Sequence, residues 1–146
     1  MILITDNAID LNKVILDVRN NSAGAIALFV GTVRDHDSHG NVSALYYEAY
    51  KKMAEDMMTE IENEVLHKWS VIKFFAIHRT GTLKVSEISV VVAVSSEHRE
   101  EAFEACKYGI NNIKTRVPIW KKEYSEVGDN WAVSYTHLTL PTTSRV

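Results

Sequence analysis

The sequence predicts an α+β fold, and three observations carry that expectation. Segments of strand and helix character follow one another in the order β α β β α β β α β, the apolar runs GAIALFVGTV and ISVVVAV are strand-sized, and few connections have the length of a parallel crossover. A doubly wound parallel sheet is disfavoured accordingly. The 146 residues fit one domain, large enough to bury a core without disulfides or a structural metal.

Met1 to Thr5 reads as a short strand, and Asp10 to Asn20 as a helix with Leu11, Val14, Ile15 and Val18 on one face. GAIALFVGTV follows as a buried strand, ended by the polar loop RDHDSHGN with a turn at Gly40-Asn41. VSALYYEAY alternates as the next strand, and the two are expected to pair as neighbours. Lys51 to Trp69 contains no Gly or Pro and repeats Met53, Met57, Ile61 and Val65, which makes a long amphipathic helix. VIKFFAIH and ISVVVAVS flank a Thr80-Gly81 turn as further strands. The third helix is expected from about Glu97 to Arg116, with Ser95-Ser96 as N-caps and Phe103, Cys106, Ile110, Ile113 and Val117 as its apolar stripe. Pro118 stops it, and a strand carrying Lys121 and Lys122 comes after.

Composition removes several classes of function. No run approaches the roughly 18 apolar residues of a membrane span, and a net charge of −3 lacks the basic footprint of a general nucleic-acid binder. Any anion site must be local. The start MILITDNAID has no signal-peptide character and Cys106 is the single cysteine, so a reducing cytoplasm is expected. From about Val133 the chain loses its acidic residues and its periodicity. VSYTHLTLPT there looks like the translation of a sequencing-library adapter, so residues 1–132 are read as the domain and 133–146 as a non-native tail.

The strongest chemical feature is the cationic cluster Lys114, Arg116, Lys121 and Lys122 on either side of Val117-Pro118-Ile119-Trp120. Helix-end dipole complementation accounts for Lys114 and Arg116 alone. Strand alternation should turn one of Lys121 and Lys122 back toward the helix end, where converging lysines lower one another's pKa into the range of a nucleophile or proton shuttle. Arg34 ends an apolar strand at the rim of a sheet, and His98-Arg99 puts cations in the first turn of a helix, where they are mildly unfavourable. His36-Asp37-Ser38-His39 matches no zinc spacing, and neither a metal nor an organic cofactor is expected. Cys106, on an apolar stripe, reads as a small buried hydrophobe.

The ordered pieces GAIALFVGTVRD, LYYEAYKKMAE, HRTGTL, SSEHREEAFEAC and IKTRVPIWKKE resemble the large subunit of molybdopterin synthase, from about Ala23 to Trp131. The resemblance implies an α/β-hammerhead fold with a mixed, mostly antiparallel sheet and three helices. It also implies an enzyme that moves sulfur from the C-terminal thiocarboxylate of a small ubiquitin-like subunit onto cyclic pyranopterin monophosphate, forming the dithiolene of molybdopterin. Carried over by position, Lys114 and Lys121 are the expected catalytic residues. Thr32, Val33, Arg34, His98, Arg99, Lys122 and Glu123 are expected to bind substrate, with Phe29 lining the pocket. A noncatalytic module that accepts a ubiquitin-like tail is the alternative.

Arg99 and Lys114 lie fifteen residues apart on one expected helix, about 22 Å at roughly 1.5 Å per residue, too far to touch one small ligand. A homodimer is therefore expected, its pocket taking Lys114, Lys121 and Arg34 from one chain and His98 and Arg99 from the other. A helix break at Gly109 is the other way to bring them together.

Overall fold

The computed structural model describes residues 1–38 and 40–124 together with the backbone of Trp131 and Ala132. The expected foreign tail from Val133 lies outside the described residues. In chain order the elements are β1 (Ile2–Thr5), α1 (Leu11–Val18), β2 (Ala25–Thr32), β3 (His36–Asp37), β4 (Gly40–Asn41), β5 (Ala44–Ala49) and α2 (Lys51–Lys68). There follow β6 (Val71–Arg79), β7 (Gly81–Lys84), β8 (Ile88–Ser96), α3 (Arg99–Arg116), β9 (Ile119–Tyr124) and β10 (Trp131–Ala132).

Two four-stranded sheets carry the fold, β1-β6-β8-β2 and β10-β9-β5-β7, with β3 and β4 forming a separate ribbon. Only β1 and β6 pair in parallel among these strands. Alternation along β6 and β8 sorts their side chains between two cores. Phe75, Ile77, Val91 and Ala93 meet Val14 and Val18 of α1 on one face. Phe74, Ala76, Val92 and Val94 face α2, α3 and the inner side of the second sheet.

The α+β class and mostly antiparallel pairing stand as expected, but the strand neighbours differ. β2 pairs with β8 in the first sheet, whereas β5 lies between β7 and β9 in the second. The ribbon between β2 and β5 carries the chain from one sheet to the other. Thr80-Gly81 turns the chain, but it does not join β6 directly to β8. Gly81, at φ +93, turns the chain out into β7, which pairs with β5 before the chain returns as β8. The expected pairing of β2 with β5 fails because a strand's partner is decided by packing rather than by local pattern, whereas β6 and β8, expected on either side of the Thr80-Gly81 turn, do pair antiparallel.

The helix stripes also shift. Ala54, Met58, Ile61 and Val65 are buried in α2 while Met53 is 62% exposed. In α3 the buried set is Ala102, Ala105, Cys106, Gly109, Ile110 and Ile113, and Phe103 is 64% exposed. A strict four-residue spacing drifts round a helix of about 3.6 residues per turn, so its outermost member leaves the core face. Ser95 and Ser96 belong to β8 and cap nothing. The N-cap position of α3 is His98, whose carbonyl accepts from Ser96 Oγ at 2.5 Å. Asp10 does cap α1, its side chain accepting from Lys13 N at 3.3 Å.

Where α3 ends, one cation is tied down. Arg116 donates to both carboxylate oxygens of Glu64 on α2 at 2.7 and 2.8 Å, and Tyr108 donates to the same carboxylate at 2.5 Å. Arg116 and Tyr108 together hold the Glu64 carboxyl down at about 2, below its ordinary 4.5. A lowered carboxylate pKa stabilises the fold fully above 4.5 and loses that contribution as the pH falls toward 2. Glu64→Gln is expected to lower stability at pH 7 by about 1 kcal/mol, a value discounted for the partial exposure of the pair. The gap from the parent protein should shrink as the pH drops below 4.5 in denaturant titrations.

Candidate functional site

A cavity of about 360 Å³ opens between the two sheets at the C-terminal end of α3. β2 contributes Phe29, Gly31 and Thr32, the loop after β2 contributes Arg34, and the start of β8 contributes Ser89 and Val90. The second sheet adds Tyr47, Lys121 and Glu123, and α3 adds Lys114. Gly31 is required where β2 passes β8, because a Cβ there would stand 2.7 Å from Val90 Cγ1.

The chain delivers its two lysines by a short route. α3 must stop at Val117, since Pro118 disfavours helical backbone in the residue before it. The chain reverses and β9 begins at Ile119, pairing with β5. Register sets Lys121 opposite Tyr47 and Glu123 opposite Leu45, all on the cavity side, and Lys122 opposite Tyr46 on the other face. Lys122 Nζ lies 6.0 Å from the centre of the Tyr46 ring. Alternation thus answers which lysine turns back.

Burial is the main force lowering the Lys114 pKa, and the positive charges of Lys121 and Arg34 lower it further. Its ammonium therefore loses its proton more readily than an ordinary lysine, although the side chain remains open to the cavity mouth. Glu123, 7% exposed, puts a carboxylate in the same wall. Three cations around one concave space make an anion site that also holds a lysine suited to proton transfer or nucleophilic attack.

Of the residues expected from sequence, Phe29, Thr32, Arg34, Lys114, Lys121 and Glu123 line this cavity. Val33 is 2% exposed and joins the core, while its backbone bonds to Ser86 and Glu87. Arg116 leaves the cationic cluster for Glu64. His98 and Arg99 sit at the far end of α3, which is unbroken through Gly109. His36 and Asp37 line the cavity rim, and His36 Nδ1 is 2.8 Å from Asp35 Oδ1. His39 lies outside the described residues. Tyr47 and Ser89 were not foreseen. Tyr47 sits on the cavity face of an alternating strand, and only knowledge of its pairing with β9 would have flagged it.

The profile of the MoaE protein family matches residues 4–116. The chain belongs to the MoaE family. The resemblance of this chain to the large subunit of molybdopterin synthase, expected from the motifs, is borne out by this match together with relatives of that name. A relative from Thermoplasma volcanium, named molybdopterin synthase catalytic subunit, is 46% identical over 86% of this chain and 92% of its own. The crystal structure of molybdopterin synthase from Staphylococcus aureus superposes with a TM-score of 0.81 at 39% identity, covering 90% of this chain and 96% of that one. A MoaE-like fold also appears in a Helicobacter pylori complex of subunits 1 and 2 of molybdopterin-converting factor, with TM-score 0.76 at 20% identity over 91% and 89% of the two chains. In this MoaE-family chain, as far as it is described, no helix is long and apolar enough to cross a membrane.

If Lys121 lowers the Lys114 pKa by like-charge repulsion, Lys121→Met should raise it toward the ordinary lysine value. Titration of lysine side-chain carbon resonances reads this directly. A Lys114 resonance that titrates identically in both proteins would place the lysines too far apart to couple.

Proposed function

We propose that this cavity transfers sulfur from the C-terminal thiocarboxylate of a small ubiquitin-like subunit to cyclic pyranopterin monophosphate, forming the dithiolene of molybdopterin. The observation that carries the reading is the convergence of Lys114, Lys121 and Arg34 on one cavity, with the Lys114 ammonium destabilised by burial and by its neighbours. Arg34, Thr32 and Phe29 bind the pterin and its phosphate. Lys114 and Lys121 move protons and balance the oxyanion that forms when the acyl carbon loses sulfur. Glu123 orients the lysines across the wall. Val33 and Lys122, which point away from the cavity, have no place in this set. The two-subunit Helicobacter pylori complex supports a similar pairing here. The enzyme works in the cytoplasm, where Cys106 stays a free thiol.

The phosphate site is completed by a second copy of the chain. Helix α3 is continuous from Arg99 to Arg116, so His98 and Arg99 cannot reach the cavity of their own chain. Strand β2 supports a route for them. It ends the first sheet, its eight residues AIALFVGT carry no charge, and Ile26 and Leu28 are 38% and 37% exposed. Helical spacing puts Phe103, Lys107 and Lys114 on the flank of α3 away from Arg116 and α2, and Cys106 brings the helix onto Phe29 and Val92. An uncharged edge with apolar side chains on both faces is a template for another strand. Helix α3 runs along β2 from the Ala25 end, opposite Ser96, toward the Thr32 end at the cavity. Antiparallel pairing of β2 with its copy across a twofold axis therefore lays His98 and Arg99 of one chain beside the cavity of the other.

Lys114→Ala should abolish product formation from thiocarboxylated small subunit and pyranopterin while leaving subunit binding intact. Full activity in this variant would reject the catalytic role. For the shared site, Lys114→Ala and Arg99→Ala chains, each inactive alone, should on mixing and reassembly regain about a quarter of normal activity. Half of randomly formed dimers are mixed, and each mixed dimer has one intact site. No recovery in dimers shown to exchange subunits would exclude a site built from two chains.

A further inference from the structure

Behind the cationic wall of the cavity lies a neutral layer that the sulfur-transfer reading does not use. Tyr47 lines the cavity directly opposite Lys121 in the β5–β9 register, yet it is only 5% exposed. Its ring is fixed from more than one side. The edge-to-face contact with His78 sets the ring centres 5.1 Å apart at 68°, and the Ser89 hydroxyl lies beside the phenol. Ser89 Oγ in turn donates to the Gly31 carbonyl at 3.2 Å, which ties this corner to β2.

His78 is fully buried at the end of β6. Its Nδ1 lies 2.8 Å from the Arg79 carbonyl, an acceptor only, so Nδ1 carries the proton and anchors the ring. Nε2 is then a buried acceptor to which no described group donates. Burial above all, and the nearby Lys114 charge, push the imidazole down to about 4 and keep it neutral against the lysines. Burial and the Glu123 charge raise the Tyr47 phenol, so it holds its proton at any working pH. Lysines on flexible stems suit the standing charge of a phosphate or carboxylate. A charge that appears only during reaction is better met by a donor already fixed in place.

We propose that Tyr47 contacts the substrate as a fixed neutral donor to the oxygen that gains charge during sulfur transfer, and that His78 is the residue positioning it. The phenol O–H, beside Ser89 at rest, donates to that oxygen as it gains charge, while Ser89 keeps its bond to the Gly31 carbonyl. The proposal rests on the sulfur-transfer reading of the cavity. No proton leaves Tyr47.

Tyr47→Phe keeps the ring and removes only the hydroxyl. Steady-state assays with thiocarboxylated small subunit and cyclic pyranopterin monophosphate, product detected by mass, should give kcat lowered by about tenfold or more with both KM values within about twofold. An unchanged kcat overturns the proposal, whether or not KM rises. Lys114→Ala run alongside separates the two readings. An inactive Lys114→Ala with fully active Tyr47→Phe defeats only this inference, whereas an active Lys114→Ala defeats the sulfur-transfer reading and this inference with it. His78→Leu should lower kcat in the parent protein but add no further loss in the Tyr47→Phe background. Independent, multiplying losses would overturn the positioning role. His78→Gln serves in the same cycle if the leucine variant does not fold.

Discussion

Like charges held together around a poorly solvated space are the constraint on which the rest of this structure depends. Lys121 and Arg34 repel Lys114, and the burial of Lys114 adds to the cost. The fold offsets that cost with rigid attachments on every side. Arg116, two residues beyond Lys114, is clamped to Glu64 on α2; Pro118 fixes the exit from α3; and β9 is held by β5 along its whole length.

The division of labour within the sequence KTRVPIWKKE follows from geometry. Helical spacing sends Lys114 to the cavity flank of α3 and Arg116 to the α2 flank, while strand alternation sends Lys121 and Glu123 inward and Lys122 out. Four adjacent cations thus take distinct physical roles. Neutral groups occupy the layer behind them: a histidine that stays uncharged above about pH 4 and a tyrosine whose phenol is held on the protonated side.

Much of this was legible in the sequence where the signal is local. The extent of α3, its stop before Pro118 and the inward turn of one lysine rest on periodicity and on the stereochemistry of one proline. Strand partners were not legible. β2 and β5 read as consecutive strands with a turn signal between them, yet the β3–β4 ribbon intervenes and each pairs within a different sheet. That failure hid Tyr47, because its value lies in standing opposite Lys121 rather than in any motif around it. The apparent misplacement of His98 and Arg99, cations at a helix start, was visible from the sequence, and like Val33 and Lys122 they are members of the predicted set that the chain's own cavity does not collect.

The single cysteine has a chemical consequence of its own. Cys106 sits on the buried face of α3, its Sγ 3.6 Å from the Val92 carbonyl, and burial pushes its thiol up to about 11. A thiol must be ionised and reachable to exchange with another sulfur centre. An enzyme working on carried sulfur would otherwise risk being loaded with it, as a persulfide or a mixed disulfide that stalls turnover. Here the reactive atom can travel from donor to acceptor without meeting a competing thiolate on the surface that guides it.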